Sequence, residues 1–142
     1  MDTSTERKRI LVDTDAFVAL YNREDPNHIR ARSVSASIVE EGSHPLLSVF
    51  SYGESITVIS QKVGRDYALQ YIDDIEKGNA FIFEADRQLL KKGGEVYRNQ
   101  RSKNASFTDC VNMAIMEQEE IREIFSFDRI YRKNGFIRIG ID

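Results

Sequence analysis

Five carboxylates stand in positions from which they could act together. They are Asp13 and Asp15 in "ILVDTDAFVALYN" (residues 10–22), Glu54 in "SYGE", Asp109 in "SFTD" and Asp128 in "SFD". Two chemistries compete for them. An Asp-x-Asp pair at the end of an apolar run suits a phosphatase, with Asp13 as nucleophile and Asp15 as general acid or base. Acids drawn from distant parts of a chain, with no histidine or cysteine among them, instead make an oxygen-donor set for Mg²⁺ or Mn²⁺. Without a cation such carboxylates repel one another. With one, they can activate water and neutralise the charge that develops on a phosphodiester, so hydrolysis of a nucleic-acid backbone is the natural reaction.

Each acid also has a structural duty open to it. Ser51 to Glu54 and Ser106 to Asp109 both have the spacing of a helix capping box. Asp128 can cap the turn at "RIYRKNG", and Asp13 can accept from backbone amides after its strand. The rest of the chain offers little for catalysis. His28 and His44 fall in a helix start and a loop, Cys110 sits in a helical pattern as a small core residue, and no phosphate-binding glycine loop, nucleophile elbow or zinc spacing is present.

The elements that must position these acids follow from periodicity. "RILVD" reads as a short strand buried on both faces, and "AFVALYN" as a helix with Phe17, Leu20 and Tyr21 on one side. "DPNHIRARSVSASIVEEG" reads as an amphipathic helix with Ile29, Ala31, Val34 and Ile38 inward, followed by a strand "PLLSVF". "SYGESITVISQKVG" and "RDYALQYIDDIEKG" make a helical hairpin, in which Tyr67, Tyr71 and Ile75 share a face and Asp73 and Asp74 belong to an amphipathic helix. "AFIFEA" is a third strand, "DRQLLKKGGEVYRNQRSKN" a helix weakened by Gly93 and Gly94, and "SFTDCVNMAIMEQEE" a helix with Val111, Ala114 and Ile115 inward. "IREIFSFD" and "GFIRIG" complete five strands. Strands alternating with helices, and no tight hairpin turn between strands, imply a parallel α/β sheet covered on both faces, with ligands bound beyond the carboxyl ends of the strands.

With 142 residues, 41% of them hydrophobic and 30% charged, the chain is expected to be one domain, a tail at 1–8 followed by a domain at 9–142. The single cysteine allows no internal disulfide, and the polar start "MDTSTERKRI" suits neither a secretory nor a membrane segment; a cytoplasmic protein is expected. The net charge of −3 excludes a surface coated in basic residues for duplex DNA. Basic residues nevertheless cluster locally. Six lie between 86 and 103 against two acids, and four between 129 and 138 against none. Lys91, Lys92, Arg98, Arg101, Lys103, Arg129, Arg132 and Lys133 are therefore candidates to hold a nucleic-acid strand.

Taken in order, "ILVDTDAFVAL", "SVFSYGESITVI", "SFTDCVNMAIM" and "IFSFDRIYRKNGF" resemble a PIN domain, and among PIN domains the VapC-type toxin ribonucleases. The resemblance runs from about Ile10 to Ile139. It implies a three-layer α/β/α sandwich with a central, mostly parallel five-stranded sheet. It also implies a site in which Asp13, Glu54 and Asp109 hold Mg²⁺ or Mn²⁺ and Asp128 supplies the fourth acid. Thr14 and Ser126 match small hydroxyl positions beside the first and fourth acids, with supporting roles. Asp15 departs from the small polar residue usual at its position, which leaves open a contact to the cation through water. The implied reaction is hydrolysis of RNA to a 5′-phosphate and a 3′-hydroxyl, by a homodimer restrained by a small antitoxin.

Two other readings remain. "ILVDTDAF" also resembles the strand and Asp-x-Asp of haloacid-dehalogenase-like phosphatases, although those want a lysine and a late acidic pair, of which "FSFDRIY" supplies one acid. A PIN scaffold can also serve as a non-catalytic RNA-binding or partner-binding module.

Overall fold

The computed structural model describes residues 7–142, so all but Arg7 and Lys8 of the expected tail lies outside the described residues. Five strands and seven helices follow one another in these residues: β1 (Arg9–Val12), α1 (Thr14–Tyr21), α2 (His28–Glu40), β2 (His44–Ser48), α3 (Val49–Lys62), α4 (Arg65–Lys77), β3 (Phe81–Phe83), α5 (Arg87–Asn99), α6 (Phe107–Glu119), β4 (Glu123–Phe125), α7 (Arg129–Lys133) and β5 (Ile137–Arg138). The strands form one sheet in the order β3-β2-β1-β4-β5, and every pairing is parallel. The expected α/β sandwich is therefore present, with a wholly parallel sheet.

The continuous apolar strands are explained by burial on both sides. Successive side chains of a strand point to opposite faces. Ile10 and Val12 of β1, Leu47 of β2 and Phe125 of β4 pack with α1–α4, against Phe17, Ala31, Val34, Ile38, Ile59 and Tyr71. Their neighbours Leu11, Leu46 and Ile124 pack on the other face with α5–α7, against Leu89, Val111, Ile115 and Tyr131. Cys110 is buried in this second core as a free thiol.

Several local expectations are corrected. β2 stops at Ser48, because Ser48 caps α3 by accepting from the Ser51 N–H at 3.1 Å; Val49 and Phe50 are thus helical, and the Ser51–Glu54 capping box does not form. Helix α5 ends at Asn99 instead of running to Asn104. The segment "RIYRK", read as a turn, is a helix because Asp128 accepts from the Ile130 N–H at 3.0 Å and caps it. On α2, Ala31, Val34 and Ile38 are buried, but Ile29 at the first turn is 82% exposed.

Gly93 and Gly94 in α5 have different reasons to exist. A Cβ on Gly93 would meet Val111 Cγ2 at 2.8 Å, so this glycine lets α5 approach α6; around Gly94 there is open space. Val111 is fully buried and, being β-branched, has one preferred rotamer in a helix, so it yields poorly. Gly93→Ala is expected to destabilise the fold by about 1–3 kcal/mol through overpacking, and Gly94→Ala to stabilise it by about 0.5–1 kcal/mol through helix propensity. Chemical denaturation of the two variants beside the parent checks both signs; equal effects would contradict the close approach.

Candidate active site

The chain runs from β1 to β2 to β3 in one direction and then places β4 on the other side of β1. A doubly wound sheet opens a crevice at such a reversal, outside the carboxyl ends of the strands. Asp13 follows the last residue of β1, and Ser126 to Asp128 follow β4. Asp13 and Asp128 therefore meet across the switch point because of topology, although they stand 115 positions apart in the chain.

Asp13 is 5% exposed and caps α1, its Oδ1 accepting from the Thr14 N–H at 2.8 Å. The same oxygen accepts from Asn112 Nδ2 at 3.2 Å, and Oδ2 accepts from the Ser126 hydroxyl at 3.0 Å. Asp15, in the first turn of α1, turns toward the β4–α7 connection. Its Oδ2 accepts from the Phe127 N–H at 2.9 Å and from the Ser126 hydroxyl at 3.3 Å. The single Ser126 proton is shared between the two carboxylates, and Ser126 Oγ accepts from the Asp128 N–H at 3.1 Å.

Asp109 fulfils the expected capping box and more. Ser106 Oγ accepts from the Asp109 N–H and Asp109 Oδ2 accepts from the Ser106 N–H, each at 3.0 Å, while Asp109 Oδ1 accepts from the Tyr131 hydroxyl at 3.1 Å. Glu54 has no capping role. It lies exposed on α3, where Oε2 accepts from the Thr108 hydroxyl at 2.7 Å, which ties α3 to the start of α6. Asp13, Thr14, Asp15, Glu54, Ser106, Asp109 and Asp128 line one open cleft of about 350 Å³.

Burial dominates the electrostatics, and crowding of negative charge adds to it. Burial pushes the Asp13 carboxyl well above the usual carboxylate range, and the charges of Asp15 and Asp109 push the same way. Burial also raises Asp109, with repulsion from Asp128 adding to it. Asp15 is raised to about 6, chiefly by burial and further by Asp128, against the opposing hydrogen bonds from Phe127 and Ser126. Among the described residues no acid of this group is in an ion pair.

The residues fit a hard divalent cation in kind. The cleft offers only oxygen donors from its acids, and two of its buried oxygens, Thr14 Oγ1 and Asp15 Oδ1, have no hydrogen-bond partner. No three His, Cys, Asp or Glu side chains among the described residues already stand as a chelating group.

The eight basic residues expected along a nucleic-acid path are all exposed, and none of them lines the cleft. Lys62 does line it, a residue the sequence reading passed over. Its signal was periodic, since Glu54, Val58 and Lys62 recur every fourth residue on α3 and share a face. Asn112 and Tyr131 were also missed. An asparagine inside the apolar run "CVNMAIM" was the cue for the first; the second is a buried tyrosine in a segment read as a turn.

The raised Asp15 carboxyl has a consequence for stability. The fold binds this proton more tightly than the unfolded chain does, so the contribution is full below about pH 4 and is lost as pH rises toward 6. Asp15→Asn is therefore expected to stabilise the cation-free protein by about 1–3 kcal/mol at pH 7.5 and to change it little at pH 4. Thermal unfolding in chelator at both pH values checks it; a gain of the same size at both would contradict the charge origin.

No curated protein matches the sequence. Solved structures do. VapC20 of Mycobacterium tuberculosis, described as a sarcin–ricin loop cleaving toxin, is similar with a TM-score of 0.84 at 22% identity, over 92% of this chain and 98% of that one. A chain of VapBC2 from Rickettsia felis, in a structure bound to a DNA fragment from the promoter, is similar with a TM-score of 0.63 at 11% identity, over 92% of this chain and 96% of that one. At these identities the likeness is one of fold. The PIN domain profile matches residues 10–137, a span that contains every acid of the cleft, and the chain belongs to the PIN domain family.

Proposed function

We propose that this protein is a Mg²⁺- or Mn²⁺-dependent endoribonuclease of the VapC type, the toxin of a toxin–antitoxin pair. The observation that carries the reading is the gathering of Asp13, Glu54, Asp109 and Asp128, from four separate parts of the chain, around one cleft with no ion-paired partner among the described residues. Those four acids would hold the cation. Thr14, Asp15 and Ser126 support them through the hydrogen bonds and open oxygens described above. When bound, the cation stabilises the charge that develops on a phosphodiester undergoing hydrolysis.

The chain's own groups have distinct tasks in this scheme. Asp13 and Asp109 are buried and held through both oxygens, so they fix position. Glu54 and Asp128 are exposed at the rim. The Thr108 hydroxyl holds Glu54 Oε2, and Oε1 is left to accept a proton from the attacking water. Lys62 faces the same cleft and offers a positive charge to an RNA phosphate. Lys91, Lys92, Arg98, Arg101, Lys103, Arg129, Arg132 and Lys133 extend a positive surface outside it.

A phosphatase mechanism asks more of Asp15. Its Oδ2 is occupied by the Phe127 amide and the Ser126 hydroxyl, and Oδ1 is buried, which suits a positioning carboxylate better than a proton shuttle. The fold likeness to VapC proteins supports the further reading that a cognate antitoxin restrains the enzyme and that it acts as a homodimer in the cytoplasm. No helix among the described residues is long and apolar enough to cross a membrane.

The test is cleavage of end-labelled single-stranded RNA with Mn²⁺, with and without chelator. Parent protein is expected to cut only without chelator. Asp13→Asn and Asp109→Asn are expected to abolish cutting, while Asp15→Asn retains it within about tenfold. Chelator-resistant binding without cleavage would support a non-catalytic PIN module instead. For Lys62→Gln the expected result is a higher KM with kcat nearly kept, and a salt dependence of log(kcat/KM) shallower by about 0.7–1; an unchanged slope would remove Lys62 from the RNA path.

A further inference from the structure

Two side chains that no reading of the chemistry required lie beneath the acids. Asn112 and Tyr131 are both 0% exposed. Asn112 sits in α6 between Cys110, Val111 and Met113 to Met116, all buried, in surroundings where an unpaired amide is costly. Its amide nitrogen makes two bonds, to Asp13 Oδ1 at 3.2 Å and to the Tyr131 hydroxyl oxygen at 3.1 Å. The Tyr131 hydroxyl in turn donates to Asp109 Oδ1 at 3.1 Å.

An amide nitrogen only donates, so Asn112 serves both Asp13 and the Tyr131 oxygen, and the Tyr131 hydroxyl, which lies against both acids, donates at 3.1 Å to Asp109 Oδ1. Asp13 and Asp109 are thereby joined by an unbroken run of neutral donors. The run connects the end of β1 to α6 and α7, and α7 is the helix that Asp128 caps. Because the bridge is neutral, it holds two like-charged groups near each other without cancelling their charge. An arginine or lysine in its place would occupy the carboxylates and oppose a cation.

We infer that Asn112 and Tyr131 are positioning residues that set the spacing of Asp13 and Asp109, and through it the affinity of the cleft for its divalent cation. The inference rests on the cation-dependent reading above. Outer partners of metal-holding side chains typically carry about 10–100-fold in affinity. Asn112 and Tyr131 act in series, since losing either link interrupts the connection between the two acids and leaves each to its remaining donors.

The experiment is calorimetric titration of the full chain with Mn²⁺ alone, for parent, Tyr131→Phe, Asn112→Leu and the double variant, with thermal unfolding of each. Tyr131→Phe keeps the ring that fills the core and removes only the hydroxyl; Asn112→Leu keeps the volume and serves if the first variant does not fold. The expected result is Mn²⁺ binding weakened about 10–100-fold in either single variant. The double variant is expected to be no weaker than the worse single one, because the links are in series. RNA cleavage is expected to return toward parent kcat at saturating Mn²⁺, with KM for RNA unchanged. A folded variant that binds Mn²⁺ as the parent does, or losses that multiply in the double variant, would overturn the bridge. Absence of Mn²⁺ binding by the parent would overturn the cation-dependent reading itself, a result distinguishable from parent binding that the variants leave unchanged.

Discussion

Everything about the site follows from placing several carboxylates where water has largely been removed. A buried carboxylate loses hydration, and each neighbour of like charge adds to that cost. Among the described residues, the hydrogen bonds that lower this cost come from neutral donors. The Thr14 amide, the Asn112 side chain and the Ser126 hydroxyl serve Asp13; the Ser106 amide and the Tyr131 hydroxyl serve Asp109; the Phe127 amide and Ser126 serve Asp15. The carboxyls of all three remain above the usual carboxylate range, so compensation is incomplete. The residual repulsion is the property that a divalent cation would relieve, and it makes the cation-free protein less stable than its packing alone would make it.

The architecture supplies both the donors and the convergence. Helix starts expose amide groups that favour negative charge, and a doubly wound sheet collects several helix starts and strand ends at one crevice. Asp13, Asp109 and Asp128 each accept from an amide at the start of α1, α6 or α7. Capping and cation binding are not exclusive duties, because a carboxylate has two oxygens and several lone pairs. Weighing them as alternatives, residue by residue, understates what one side chain can do. Glu54 shows the opposite case, a carboxylate whose place on α3 has no capping reason at all.

The elements were largely legible in the sequence. Apolar patterns reflect which faces of each element meet the core: β1 is a continuous run buried on both faces, and α2 keeps an inward stripe at Ala31, Val34 and Ile38. Errors arose where a nearby residue outcompeted a plausible signal. Ser48, three positions earlier, took the cap that "SYGE" offered to Ser51, which lengthened α3 and freed Glu54 to face the cleft. "RIYRK" is too short for periodicity to register, yet the Asp128 cap and burial of Ile130 and Tyr131 make it helical. Gly93 reads in sequence as a defect in a helix; only the neighbouring Val111 shows it to be a point of close approach.

By itself, the sequence determined which residue types were available for chemistry and the kind and order of most elements. Those properties are local, settled by side-chain chemistry and by hydrogen bonds a few residues apart. Four acids in a recognisable order also point to the PIN family. The tertiary structure decided the rest: that β4 passes to the far side of β1, that Lys62 and none of the eight basic candidates lines the cleft, and that Asn112 and Tyr131 bridge Asp13 to Asp109. These are contacts across 19 to 113 positions of chain. Their distances are fixed by how helices pack on a sheet, and no pattern within a single element encodes them.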